Sequence, residues 1–193
     1  MKRRLSFRPA VAFRGRKFKG LRGWAGKPLH PPLTDIPIGA YVLAAAFDVI
    51  SQVGQDETWA RDFYRAATFT LVGGAAVSLL TALTGFWDWL RSTQAGTQVR
   101  REANAHALTM ITVTVLVLVN IALRTLEYPD DRHSGLVVLA LSLVIAALTT
   151  LGGTIGGSLV YDHGFNVENA GDSPAYHPSE EDVLPDGSRT HSG

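Results

Sequence analysis

Four stretches of this chain are long and apolar enough to cross a lipid bilayer, and that pattern limits the fold more than anything else in it. A spanning helix needs about 20 mostly apolar residues, because the hydrocarbon layer is about 30 Å thick. The stretches cover about 33–53, 64–89, 106–123 and 135–161. Between Ala107 and Val119 the only polar residues are threonines, whose hydroxyls can bond carbonyls of their own helix. No charged residue occurs from Gly135 to Val160. A soluble helix would show a polar face at the 3.6-residue period. Strands usually run about 3–10 residues, too short for these blocks. In lipid the backbone must satisfy its own hydrogen bonds, which selects helices. The expected fold is therefore an all-α integral membrane protein, a four-helix transmembrane bundle. It would occupy 33–165, between a basic arm (1–32) and a polar, acidic tail (166–193).

The net charge of +1 over 193 residues is a cancellation. Residues 1–32 hold 10 of the 18 basic groups, and residues 162–193 hold seven of the 17 acidic ones. Lys, Arg and Pro interrupt every apolar run of the arm, so it lacks the hydrophobic core of a cleaved signal and reads as retained. Positive residues stay on the cytoplasmic side. The arm, with Arg91, Arg100 and Arg101 in the second loop, places both termini in the cytoplasm of a multi-pass protein of the bacterial inner membrane. Trp59, Trp87, Trp89, Tyr64 and Tyr128 sit near block ends, as an aromatic belt would place them. A basic cluster beside a membrane favours the lipid surface, then a docking partner, over nucleic acid. The tail has too little apolar area for a core of its own. The chain has no cysteine, which excludes a disulfide framework, a thiolate metal site, a cysteine nucleophile and a self-contained iron–sulfur cluster.

Ionisable residues in lipid are costly, and each is a functional hypothesis. Asp48 lies about 15 residues into the first block, roughly 22 Å along a helix and toward the outer side. His30 precedes the first block, Asp88 ends the second, His106 opens the third, and Asp162 and His163 close the fourth. Antiparallel threading brings His30, Asp88, His106 and His163 to one depth on four helices. Imidazole and carboxylate suit iron, zinc or copper, and two imidazoles can hold a haem iron axially. Alternatively these groups only cap helix ends and face headgroup water. Gly152, Gly153, Gly156 and Gly157 form overlapping GxxxG patterns, which permit close helix packing, a homodimer contact or room for a flat macrocycle.

His30-Pro31, Ile36-Pro37-Ile38-Gly39 and Asp48 together resemble the opening of a bacterial family of membrane proteins called domain of unknown function 2231. Thr84-Gly85-Phe86-Trp87-Asp88-Trp89 is similar to that family's second-helix ending, and His106 opens the third helix as in the family. The run from Gly152-Gly153 through Gly156-Gly157-Ser158-Leu159-Val160-Tyr161-Asp162-His163-Gly164 resembles its closing motif. The resemblance covers roughly residues 29–167 and implies four membrane helices with no assigned activity. Some relatives carry a Rieske-type iron–sulfur domain after the helices, which implies an electron-transfer context. The segment Glu181 to Gly187 resembles the start of such a domain, but the cysteines it needs are absent, so a cluster would sit on another polypeptide.

Three functions follow as expectations. The first is a redox subunit binding haem b or a transition metal through His106 and His163, with His30 as an alternate ligand. Asp88 would ligate or would hydrogen-bond a ligand imidazole and fix its tautomer, and a Rieske-type or other membrane protein would exchange electrons with it. The second is a cofactor-free structural or assembly subunit of a larger membrane complex. The third is a small proton or solute pathway using Asp48, though the chain lacks the broken-helix repeats of transporters. No nucleophile elbow surrounds any serine, which argues against a hydrolase.

Overall fold

The computed structural model describes residues 28–127 and 132–167, together with the pairs 182–183 and 189–190. The basic arm as far as Lys27, Tyr128 and most of the tail lie outside the described residues. Four helices make up the body: α1 (His30–Gly54), α2 (Thr58–Ser92), α3 (Gln98–Glu127) and α4 (Leu136–Tyr161). Each is long and apolar enough to span a membrane. In the tail, β1 (Asp182–Val183) and β2 (Arg189–Thr190) pair antiparallel, Asp182 opposite Thr190.

Sequence neighbours pack side by side, and α4 closes the ring against α1. The α1–α2 seam is the most extensive and the α2–α3 seam the lightest, with α1 and α3 facing each other across the diagonal. The packed interior is small or polar at many positions, including Ala44, Ala45, Ala67 and Gly74, with Tyr41, Leu71, Val113, Val117 and Ile145 filling the middle. Large apolar side chains instead line the outside, among them Leu43, Leu79, Leu83, Leu108, Ile111 and Leu118. Lipid supplies no hydrophobic drive between helices, so close backbone approach holds them together while leucines face the acyl chains. A soluble bundle does the opposite.

The seam between α1 and α2 shows how tight this packing is. A Cβ on Gly74 would lie 2.7 Å from the Ala40 Cβ and 3.0 Å from the Tyr41 ring. Pro37, inside α1, cannot donate to the carbonyl of Leu33. The hydroxyl of Thr81 on α2, shared with its own helix's Val77 O, reaches that orphaned oxygen at 3.2 Å. Repair by a neighbouring threonine is how membrane helices tolerate proline.

α2 and α3 extend well beyond the apolar blocks, while α1 and α4 nearly match theirs. α3 begins at Gln98, not His106, and ends at Glu127, not at about Leu123. This brings Glu102 and Arg124, the latter expected in a loop, into helical positions.

Candidate functional site

Two polar layers cross the bundle near its opposite ends, and α1 and α3 supply the principal members of both. His30 and Asp48 are 18 residues apart on α1, and His106 and Arg124 are 18 residues apart on α3. At about 1.5 Å per residue each pair spans about 27 Å. One layer therefore joins His30 to His106, and the other joins Asp48 to Arg124.

In the histidine layer, the two rings lie with centroids 6.4 Å apart and planes at 84°. Each is held the same way by the helix that follows it in sequence. Nδ1 of His30 donates to the carbonyl of Thr81 on α2 at 3.0 Å, and Nδ1 of His106 donates to the carbonyl of Gly152 on α4 at 2.9 Å. A carbonyl only accepts, so each imidazole carries a proton on Nδ1, and in the neutral ring the lone pair lies on Nε2. Four residues beyond each acceptor stands a glycine against the ring. A Cβ on Gly85 would meet the His30 ring at 2.6 Å, and one on Gly156 would meet the His106 ring at 3.0 Å. The hairpins α1–α2 and α3–α4 thus present equivalent half-sites.

The four-residue cluster expected from common depth does not assemble. Among the described residues, no group of three or more His, Asp or Glu is placed to hold a metal ion. His163, just beyond α4, pairs through Nε2 with Glu102 Oε1 at 3.0 Å, one turn before His106 on α3. Asp88 is buried on α2 one turn beyond Thr84. Depth places these groups at one end of the bundle, and helix rotation sets His30 against His106 and His163 against Glu102. The ring that faces His106 belongs to His30, not His163.

The opposite layer is a closed network. Asp48 and Arg124 form an ion pair with both side chains fully buried. The Asp48 carboxylate also accepts from Ser142 Oγ and from Ser134 Oγ, both at 2.6 Å. The Arg124 guanidinium donates through Nε to Asn120 Oδ1 at 2.8 Å and through Nη1 to Thr68 Oγ1 at 3.1 Å. Its carbon lies 5.4 Å from the centroid of the Tyr64 ring. Asn120 Nδ2 donates to Ser142 Oγ at 2.9 Å. The backbone N–H of Ser134 reaches Ser51 Oγ, which donates to Ala60 O. All four helices and the α3–α4 connection are tied together. Tyr64 is thus an interior residue rather than a belt residue.

Sequence reading missed Arg124, Asn120, Ser142, Ser134 and Thr68. Two signals pointed to the first two: a lone aspartate in an apolar block demands a counter-charge, and Asn120 precedes Arg124 by one helical turn. At the histidine end Arg100 stacks 3.5 Å over the Trp89 ring and Arg91 lies 4.9 Å from that of Trp87.

The family model described as "Predicted membrane protein (DUF2231)" matches residues 26–169, well over half of the chain, which includes both layers. The chain belongs to that family. No match was found among curated proteins or solved structures.

Proposed function

We propose that this DUF2231 protein is a redox subunit of a bacterial cytoplasmic membrane, holding haem b, or a single transition-metal ion, between His30 and His106. The observation that carries the reading is the paired, tautomer-fixed imidazoles on facing helices. The ring centroids lie 6.4 Å apart, and an ion held by both Nε2 atoms would need metal–nitrogen bonds of about 2 Å. Ligating histidines commonly donate their other N–H to a backbone carbonyl, which orients the ring and raises its basicity. Both imidazoles do so here. Gly85 and Gly156 make room for the two imidazoles, which pack directly on them. A haem or metal ion held there would supply one-electron transfer. The protein's part is to orient two neutral imidazoles, to keep them from bulk water, and to hold their Nδ1 protons on Thr81 O and Gly152 O.

The orientation belongs to the same reading. The histidine end carries Arg91, Arg100 and Arg101 and receives the basic arm, so it faces the cytoplasm. The Asp48 end then faces outward. Electrons would pass to another membrane redox protein, of which a Rieske-type partner is one kind.

The test is the visible spectrum and metal content of protein purified in mild detergent. A Soret band or one bound metal per chain is expected, lost in both His30→Ala and His106→Ala but kept in His163→Ala. A wild-type protein with neither band nor metal would overturn the reading. It would favour a cofactor-free structural or assembly subunit.

A further inference from the structure

Arg100 is held in place without being neutralised. Its guanidinium stacks 3.5 Å over the Trp89 ring. Its Nη1 donates to Thr93 Oγ1 at 2.6 Å and, more weakly, to Trp89 O at 3.4 Å. The tryptophan is itself fixed: Trp89 Nε1 donates to Asn104 Oδ1 at 2.8 Å, and Thr93 Oγ1 donates to Trp89 O at 2.6 Å. The side-chain hydrogen bonds of Arg100 use Nη1 alone. Nε and Nη2, which form one edge of the guanidinium, have no acceptor among the described residues, and no carboxylate there pairs with Arg100. Two N–H groups along one edge are the fork that grips a carboxylate or a phosphate bidentately.

The surroundings say what kind of anion fits. Arg100 lies on α3 six residues before His106, where the apolar stretch of that helix begins. That is about 9 Å along the axis, at the depth of the headgroups rather than the acyl chains. Asn104, Leu108 and Ile111 follow Arg100 on the same side of α3, at helical spacing, and the two apolar ones are exposed. On α2 the exposed Phe86 ring stacks on Trp89 with centroids 5.8 Å apart. An outward-facing apolar surface therefore runs from the open guanidinium edge toward the membrane centre, beside the α2–α3 seam, the lightest in the bundle. Its occupant combines an anionic head with apolar tails. Free phosphate would leave the apolar surface uncovered. A second cation adds to the field: exposed Arg91, 4.9 Å from the Trp87 ring centroid, also has no carboxylate partner among the described residues. A zwitterionic headgroup would bring its own ammonium against these arginines, and an anionic one would not.

We propose that the α2–α3 rim is a site for one anionic phospholipid. Its phosphodiester is gripped by Nε and Nη2 of Arg100, and its acyl chains lie over Phe86, Leu108 and Ile111. The site depends on neither the cofactor nor the orientation proposed above. The experiment is native mass spectrometry of the full chain released from mild detergent and titrated with phosphatidylglycerol or phosphatidylcholine. The first phosphatidylglycerol should bind about fivefold tighter than phosphatidylcholine, the worth of one arginine beside a charged lipid. Arg100→Gln should weaken that first site about tenfold or more, because charge-assisted hydrogen bonds are lost. Arg100→Lys keeps the charge but not the fork, and its affinity should fall between the two. Arg132→Gln, an exposed change at the opposite end of the bundle, should leave the affinity unchanged, and excess inorganic phosphate should not compete. Equal binding of the two lipids, or an unchanged affinity in Arg100→Gln, would overturn the proposal. So would equal losses from Arg100→Gln and Arg132→Gln, since net charge would then account for the binding. Displacement by inorganic phosphate would overturn it too, because the apolar surface would then play no part. A chain that takes up no phosphatidylglycerol would do the same, and would leave the open edge to the carboxylate of a protein partner.

Discussion

Asp48 on its own would be among the costliest residues in the bundle, since a charge in hydrocarbon is strongly disfavoured. Its environment removes the problem: Arg124 neutralises it, and two serine hydroxyls donate to the carboxylate. The pair need not add net stability, because desolvating two charges offsets their attraction. Breaking it is another matter. Asp48→Leu leaves a guanidinium buried without an anion, and the expected loss is about 3–5 kcal/mol. Asp48→Leu with Arg124→Leu removes both charges and should recover most of that loss. Unfolding midpoints of the purified protein in mixed micelles measure both. A double variant as unstable as the two single losses summed would show that the residues do not act as a unit. The histidine layer yields a sharper residue-scale expectation. Gly85→Ala places a methyl 2.6 Å from the His30 ring, so it should lower cofactor content at least several-fold, read from the Soret band or the metal-to-protein ratio. Gly39→Ala, where a Cβ meets nothing within 4 Å, should leave it unchanged.

At the scale of a helix, adjacent glycines have opposite jobs. Gly73 faces open space, and Gly74 touches α1. Gly73→Ala should be neutral or stabilising by up to about 1 kcal/mol through helix propensity. Gly74→Ala forces α1 and α2 apart at their most intimate contact and should cost about 1–3 kcal/mol. Thermal midpoints in detergent read the difference; equal effects would mean that this seam is looser than described. Hydropathy announces four helices because apolar length is a one-dimensional property. It misplaces their ends because segments such as 98–105, rich in Gln, Arg, Glu and Ala, are polar yet form helix readily. The same blindness put Arg124 in a loop: an arginine ends an apolar run on any hydropathy scale, whether or not its helix continues. Which histidines meet was less legible still. Depth follows from counting residues, but the pairing of His30 with His106 depends on helix rotation and on the diagonal placement of α1 and α3. Rotation is set by contacts such as Gly74 on Ala40 and Tyr41, which no single helix's sequence contains.

The whole molecule is organised as two hairpins whose first helices carry corresponding groups at corresponding heights. Histidine matches histidine at one end, and aspartate meets arginine at the other. If the histidine end faces the cytoplasm, the α2–α3 connection lies inside and the α1–α2 and α3–α4 connections lie outside. The chain has no cysteine, so single cysteines report this without background. Ala95 is an exposed residue of the α2–α3 connection, and Asp56 is an exposed residue of the α1–α2 connection. Neither takes part in either polar layer. In spheroplasts treated with a membrane-impermeant maleimide, Asp56→Cys should be labelled directly and Ala95→Cys only after permeabilisation. The reverse pattern would invert the protein and place the imidazoles outside. That outcome would leave the bundle intact but remove the argument from Arg91, Arg100 and Arg101. Labelling of both positions from one side would be more damaging, because α2 would then not cross the membrane. The diagonal contacts from α1 to α3 require two parallel helices separated by an antiparallel one. Without that crossing, His30 could not reach His106 and Asp48 could not reach Arg124, so both layers stand or fall on the same labelling experiment.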